Sequence, residues 1–397
     1  MNSASLDALR AEVREWLAAN FPPSLAFKNP VPYQNHAPHA EADPDWRLWR
    51  DRMAAKGWGA PAWPQIYGGA GLDPAEIRVL AQEMRRIGAF NPMKMTGFTM
   101  LGPTLLEFGT EAQKSEHLPG IAAGRVRWCQ GFSEPGAGSD LASLQTRCTD
   151  MGDHWLVEGQ KVWTSGANHA DWCFALVRTD TSSKQGGISF LLIDMRSEGV
   201  ETRPITLISG STHFCEMFLN AVKVPKENMV GGLNEGWGVG KRLLQFERDS
   251  LSEGRGEGVS LLPLAQTKLG VRETGELADA DVRARLVSHV MRAHAFNLTM
   301  DRVSAEKKAG ASTSLLVPIL KNLGSDVAQM RADLMLELAG ELGLGWSGAE
   351  YSEEQLDTTR QWLHARAFSI YGGSFEIQNN IAAKRTLGLP DPKLTAR

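Results

Sequence analysis

The hydrophobic period changes twice along this chain. Those changes predict an α+β multidomain fold with an N-terminal α-helical domain, a middle β-barrel or sandwich and a C-terminal helical bundle. Apolar residues recur at three- and four-residue steps up to about Arg125. They shorten to β-type runs from about Val126 to Val230, then return to long helical stripes from Gly236. With boundaries at those breaks the domains are 1–125, 126–232 and 233–397. The length of 397 residues suits two or three cores at about 150 residues each.

In the first zone, Leu9, Val13, Trp16 and Leu17 mark one buried helix face. Prolines at 22, 23, 30, 32, 38 and 44 predict a long irregular surface loop over 21–45. Helical spacing resumes over 45–56, breaks in the turn-rich stretch 63–71, and resumes over 73–88. In the middle zone the runs 155–157, 160–163, 172–177, 188–193 and 216–224 are rich in β-branched and aromatic residues, and 150–153 reads as a hairpin tip. In the last zone Val239, Leu243, Leu244, Phe246 and Leu251 form one apolar stripe, and 279–308, 313–340 and 352–368 read as three further helices. No period of 20–50 residues repeats, which argues against a solenoid.

Composition excludes several classes. Hydrophobic residues make 42% and charged residues 22%, too apolar for disorder. With 42 Lys+Arg against 46 Asp+Glu, the net charge of −4 exerts no long-range pull toward nucleic acid or anionic membrane. No stretch approaches the roughly 18 consecutive apolar residues of a membrane helix. The opening residues 1–7 begin an acidic amphipathic segment rather than a basic region followed by an apolar run. The four cysteines, Cys129, Cys148, Cys173 and Cys215, include no CxxC pair and are too sparse for a disulfide scaffold or a zinc site. His36 and His39 lie in the proline-rich loop without nearby ligands. The expectation is a soluble cytoplasmic protein without a metal.

Three motifs could carry chemistry. The run Gly131-Phe132-Ser133-Glu134-Pro135-Gly136-Ala137-Gly138-Ser139-Asp140 joins glycines to hydroxyls. It suits either close backbone approach to a flat or anionic ligand, or a turn opening the β domain. It lacks the third glycine and the strand–turn–helix context of a dinucleotide fingerprint. In Gly159-Gln160-Lys161-Val162-Trp163-Thr164-Ser165-Gly166 the indole beside two hydroxyls could stack on an aromatic cofactor, or be a core tryptophan of a strand. In Tyr371-Gly372-Gly373-Ser374-Phe375-Glu376-Ile377-Gln378, glycines precede a helix whose first turn could offer N–H groups to an anion, or simply be capped by Ser374.

Together and in this order, with the Trp63-Pro64 and Gly68-Gly69 element near the front, the motifs resemble the acyl-CoA dehydrogenase family over essentially the whole chain. The resemblance implies FAD between the β domain and the C-terminal bundle, with an acyl-CoA thioester against its ring. By position, Phe132 and Ser133 would face the flavin, Trp163 would pack beside it, Ser165 would bond near N5, and Ser139 would contact CoA. Ser374 and Glu376 fall where the family usually contacts FAD with Thr and Gln, so the acidic Glu376 is a departure.

The family reaction removes an α-proton while hydride leaves the β-carbon, so a carboxylate must reach the α-carbon. In much of the family that Glu follows the Tyr of the third motif; here the position is Gly372. The family's second solution is a Glu on the first helix of the C-terminal domain, eleven positions after the Gly of a Gly-Trp pair and just before an Arg. Gly236-Trp237 and Glu247-Arg248 match that spacing, which makes Glu247 the expected base. Asp249 is the reserve, about 200° further around the helix. The Gly372 N–H would help polarise the substrate carbonyl, and Arg248 would bind CoA or hold the helix.

The Arg and Phe-Gly element that in many members reaches a neighbouring subunit's FAD is absent around 266–272. The reading is an FAD-dependent dehydrogenase desaturating a long, branched or cyclic acyl-CoA. It would pass electrons to an electron-transfer flavoprotein and assemble as a homodimer, homotetramer or mixed tetramer. The alternatives are a flavin oxidase or monooxygenase of the same fold, or a non-catalytic partner subunit of a mixed tetramer.

Overall fold

The structure, a computed structural model, describes residues 3–27, 43–253, 260–310 and 315–390. It divides into two compact units: Met1–Thr206 with Ser211–Glu253, and Leu207–Gly210 with Gly254–Arg397.

The first unit opens with α1 (Ser3–Asn20), α2 (Pro44–Ala55), α3 (Pro74–Arg86), α4 (Gly102–Phe108) and α5 (Glu111–Ala122). The starts of α3 and α5 are written locally. Asp73 and Thr110 each accept from the backbone three residues on, while Glu76 and Gln113 reach back to the cap N–H. The expected face of α1 is the buried one: Val13 and Leu17 join Trp49, Met53, Leu80 and Met93 in one core, with Leu9 and Trp16 packed against it. Of the proline-rich loop, Pro23–Leu25 forms one helical turn; residues 28–42, including His36 and His39, lie outside the described residues.

The strands are β1 (Trp128–Gly131), β2 (Arg147–Asp150), β3 (His154–Ser165), β4 (Trp172–Arg178), β5 (Ile188–Asp194), β6 (Val200–Ile205), β7 (Phe214–Pro225) and β8 (Met229–Val230). The hydrogen-bonded order is β6-β7-β3-β2-β4-β5-β8, with β1 parallel to β4. No described pairing joins β6 to β8. The sheet is therefore open, which corrects the barrel expectation. Its edges explain why: β8 has two residues, and Pro204 in β6 lacks the N–H a further strand would need.

Both faces of the sheet centre are covered. Phe174, Leu176, Phe190 and Leu192 enter the core shared with the helices, while Cys173, Ala175, Val177, Leu191 and Ile193 enter a second one. The expected tip at 150–153 is observed, with the Met151 N–H donating to His154 O at 3.0 Å. The two expected runs at 155–157 and 160–163 are a single strand. Gly159 carries it past β2 at a point where a Cβ would lie 2.7 Å from the Thr146 Cα.

Helix α6 (Gly236–Glu253) closes this unit. Its glycines set it directly on the sheet: a Cβ on Gly236 would fall 2.3 Å from the Ser189 carbonyl carbon, and one on Gly240 3.2 Å from Leu176 Cδ1. Val239 and Leu243 are buried there, and Trp237 and Leu244 pack alongside. The Leu251 side chain lies outside the described residues.

The second unit contains α7 (Leu261–Leu269), α8 (Ala280–Lys308), α9 (Val317–Ala339), α10 (Glu353–Ala365) and α11 (Phe375–Ile381). Helices α8, α9 and α10 occupy the three expected stretches; 313–314 fall outside the described residues. Leu261, Ala265, Leu286, Leu334 and Leu338 form the core of α7, α8 and α9. Among the described residues no helix is long and apolar enough to cross a membrane.

Candidate functional site

The first motif follows β1. The Phe132 ring turns inward, edge-on to Phe174 and Phe190 with centroids 5.9 and 6.2 Å away. At this position only the main chain is offered outward; the ring belongs to the core. Ser133 is half-buried, and Ser139 is exposed. Glu134 and Ala137 close a tight turn with two main-chain bonds of 3.0 Å. A Cβ added at Gly136 or Gly138 would meet no protein atom within 4 Å. The protein's own packing therefore does not demand glycine at either position, and the main chain there is open to close approach.

The second motif ends β3. Between Lys161 and Thr164 the pairing with β7 shifts, and Trp163 takes φ +60°. For a bulky side chain this backbone region is costly, and such bulges re-aim side chains. Here the indole is turned out of the core and left 55% exposed, its ring edge-on to Phe214 at 6.0 Å. Trp163 is not a core tryptophan. Ser165 is exposed, and Gly166 after it, at φ +65°, donates its N–H to His213 O at 2.7 Å. The Val162 N–H donates to Ser133 O at 2.9 Å, so the segments carrying Ser133 and Trp163 are joined directly.

Sequence reasoning missed what lies beneath. Lys161 is 0% and Glu134 7% exposed, with Nζ 2.8 Å from Oε1. Burial pulls the Lys161 ammonium below its ordinary value, opposed by the facing carboxylate. Burial pushes the Glu134 carboxyl up, but the Lys161 charge and the donors around it outweigh that and hold it below the usual carboxylate range. A signal was available. Trp155 and Val157 set an inward alternation that reaches Lys161, and a buried lysine demands an anionic partner.

Glu247 is half-buried on α6, eleven residues or about 16 Å along the helix from the Gly236 anchor. Five residues before it, Arg242 pairs with Glu107 at 2.8 Å and covers the Phe246 ring at 4.2 Å. The side chains of Arg248 and Asp249 lie outside the described residues.

In the second unit, Gly372 and Gly373 take φ +66° and +88°. The Gly372 carbonyl is held by Gln378 Nε2 at 2.9 Å, a buried residue not anticipated from sequence. Ser374 caps α11, its hydroxyl accepting from the Ile377 N–H at 3.4 Å. Glu376 is exposed; its own backbone N–H and the Ser374 hydroxyl lower its pKa. A Cβ on Gly372 would meet Lys321 Cε at 4.0 Å and nothing closer. The Lys321 ammonium, lowered by burial, lies 5.3 Å from the Phe375 ring. Around 266–272, α7 ends at Leu269, and Arg272 is used locally, donating to Ala278 O at 3.1 Å. Among the described residues no group of three or more His, Cys, Asp or Glu could hold a metal ion.

Three family models match the chain in series: acyl-CoA dehydrogenase N-terminal domain over 3–125, middle domain over 129–222 and C-terminal domain over 234–387. The acyl-CoA dehydrogenase IpdE1 of Mycobacterium tuberculosis is 37% identical over 395 residues, covering 97% of this chain and 98% of that protein. Among solved structures, the Tcur3481-Tcur3483 steroid ACAD superposes with a TM-score of 0.75 at 28% identity, covering 98% of this chain and 99% of that one. The ChsE4-ChsE5 complex from Mycobacterium tuberculosis gives 0.73 at 25% identity, covering 99% of each chain.

Proposed function

The chain belongs to the acyl-CoA dehydrogenase family of flavin-dependent oxidoreductases. From that premise we propose that it desaturates the Cα–Cβ bond of an acyl-CoA thioester, with FAD as its flavin. The observation that carries this is Trp163, a large indole held outward by a strained backbone. Such strain persists where the surroundings over-determine it, typically at ligand sites. The open backbone at Gly136 and Gly138, the half-buried Ser133 and the exposed Ser165 fit a flat, polar-edged ring lying against this part of the sheet.

The chain's residues divide the work. Trp163 packs beside the flavin ring, Ser133 and Ser165 offer hydroxyls to its polar edge, and the Phe132 main chain completes that wall. In the second unit Ser374 and Glu376 are assigned to cofactor binding, and Ser139 and Arg248 are assigned to CoA. Glu247 takes the α-proton. The Gly372 N–H donates to the thioester carbonyl, stabilising charge that develops there as the proton leaves. Bound FAD would supply the hydride acceptor for the β-carbon, so that the product would be an enoyl-CoA, and the electrons would pass on to an electron-transfer flavoprotein.

The absence of a side chain at Gly372, where much of the family carries its base, supports a long, branched or cyclic acyl group. The likeness to a steroid ACAD and to the ChsE4-ChsE5 complex supports a steroid-type substrate and a mixed assembly with a second chain. The missing Arg and Phe-Gly element supports that assembly too.

The test is an anaerobic titration of the purified protein with a panel of acyl-CoA thioesters. A yellow protein bleached by a bulky thioester is expected. Glu247→Gln should keep the flavin and lose turnover; turnover within a few-fold of the unmodified protein would remove Glu247 from the role of base.

A further inference from the structure

We propose that the buried Lys161–Glu134 pair is a positioning device. It holds the Ser133 and Trp163 segments in one fixed relation, so that the wall offered to the flavin is set before the cofactor arrives. The proposal rests on the flavin reading above and deepens it. Neither residue touches the cofactor in this scheme.

The geometry is a knot of four chain segments. Lys161 uses all three ammonium protons: to Glu134 Oε1 at 2.8 Å, to Leu176 O on β4 at 2.7 Å, and to Phe132 O at 3.3 Å. The carboxylate in turn accepts the main-chain N–H groups of Gln145 at 2.6 Å and Thr146 at 2.9 Å, on the stretch entering β2. Residues 132–134, 145–146, 161 and 176 are thereby fixed to one another by charge-assisted bonds out of water. Ser133 sits between the two anchored residues of the first segment. Trp163 is two residues from the anchor of the second, next to the bond from Val162 N–H to Ser133 O.

Burying two charges is a weak way to gain stability, because an apolar pair of similar volume often does as well or better. A satisfied buried network does, however, fix geometry. The geometry fixed here is that of two flavin-facing segments 30 residues apart in sequence, Ser133 and Trp163.

The test uses Lys161→Met, Glu134→Gln and the double variant. Glu83→Gln, which breaks a different buried carboxylate cluster in the same unit, serves as a control for general destabilisation. Amide hydrogen exchange on the flavin-free protein reads the lock directly. Each single variant should speed exchange of 131–146 and 160–166 together, leaving 76–86 unchanged, and the double should add little to the worse single. On reconstitution, the FAD dissociation constant should rise at least tenfold in both single variants and stay within twofold in Glu83→Gln.

If Lys161→Met does not fold, Glu134→Gln, which keeps size and one acceptor oxygen, carries both measurements. The proposal is overturned if the folded variants exchange as the unmodified protein does, if the two segments loosen independently, or if Glu83→Gln weakens FAD equally. A protein that takes up no flavin yet shows coupled loosening would overturn the flavin reading and leave the lock standing.

Discussion

The main-chain N–H of Val162 donates to the carbonyl of Ser133 at 2.9 Å, one residue before the chain turns into the left-handed region at Trp163. The bond fixes where the turn occurs, and the turn decides that the indole faces outward. Regular alternation along β3 would have put Trp163 on the same side as Lys161; the bulge puts it on the other.

Trp163→Gly should therefore cost almost no stability. The half-exposed ring contributes little burial, and glycine relieves a strain of about 1–2 kcal/mol while adding roughly 0.5–1 kcal/mol of chain entropy cost. The flavin-free melting temperature should stay within about 3 °C, whereas truncating the fully buried Trp49 should cost about 3–5 kcal/mol. The same Trp163→Gly protein should retain flavin poorly. A loss of several kcal/mol in the flavin-free protein would contradict the assignment of its strain to ligand binding.

Glu83 predicts an acid transition. Its carboxylate accepts from Arg14 at 2.8 Å, Arg10 at 2.9 Å and Arg86 at 3.0 Å, and the hydrogen bond from Arg14, opposed by burial, lowers its pKa to about 2. The folded value is below the unfolded one, about 4.3. The stabilisation is therefore complete above the unfolded value and is lost as pH falls from about 4.3 to about 2. It amounts to at most about 3 kcal/mol, reduced because the arginines remain partly in water. Denaturant titrations of Glu83→Gln and the unmodified protein should differ at pH 6 and converge by pH 2; a constant gap across that range would refute the linkage.

The cysteines should be inert while the protein is folded. All four are buried and free. Burial pushes the Cys148 thiol up to about 12 and also raises Cys215, while a hydrogen bond with Cys173 and then burial raise Cys129. At pH 8 the Cys148 thiolate fraction is on the order of 1 in 10,000. A disulfide reagent should label no thiol within an hour in the native protein and four in guanidinium. Rapid labelling of the native chain would show that these strands open easily.

Where residues act through neighbours in sequence, the elements of the fold were legible. The apolar spacing of α1, the cap at Ser374 and the β-branched and aromatic runs of β4 and β5 are local signals, and they led to those elements; the helix Glu111–Ala122 was not anticipated. The open sheet was not legible, because closure depends on which distant strands pair, and that turned on Pro204 and a two-residue β8. The Lys161–Glu134 pair joins positions 27 residues apart, and neither sequence run names the other. The resemblance implies that Phe132 faces a flavin without saying whether ring or main chain does so; Phe174 and Phe190 offer its ring an apolar slot that only the folded sheet creates.

The last prediction separates backbone from side chain at Gly372. With φ +66° and only Lys321 Cε within 4.0 Å of an added Cβ, a substitution there meets strain but no clash. Gly372→Ala should thus cost about 1 kcal/mol, keep flavin and leave kcat within tenfold, because the N–H remains. On the proposed assignment of Glu247 as general base, Glu247→Gln should instead lower kcat by about 10²–10⁴. Adding Gly372→Glu to Glu247→Gln places a carboxylate at the family's more common base position and should return part of that loss, most readily on small acyl groups, since the new side chain fills the space a bulky one needs. Recovery on bulky thioesters but not on small ones would mean that the space at Gly372 is not where the acyl chain lies, and the substrate assignment drawn from it would fall.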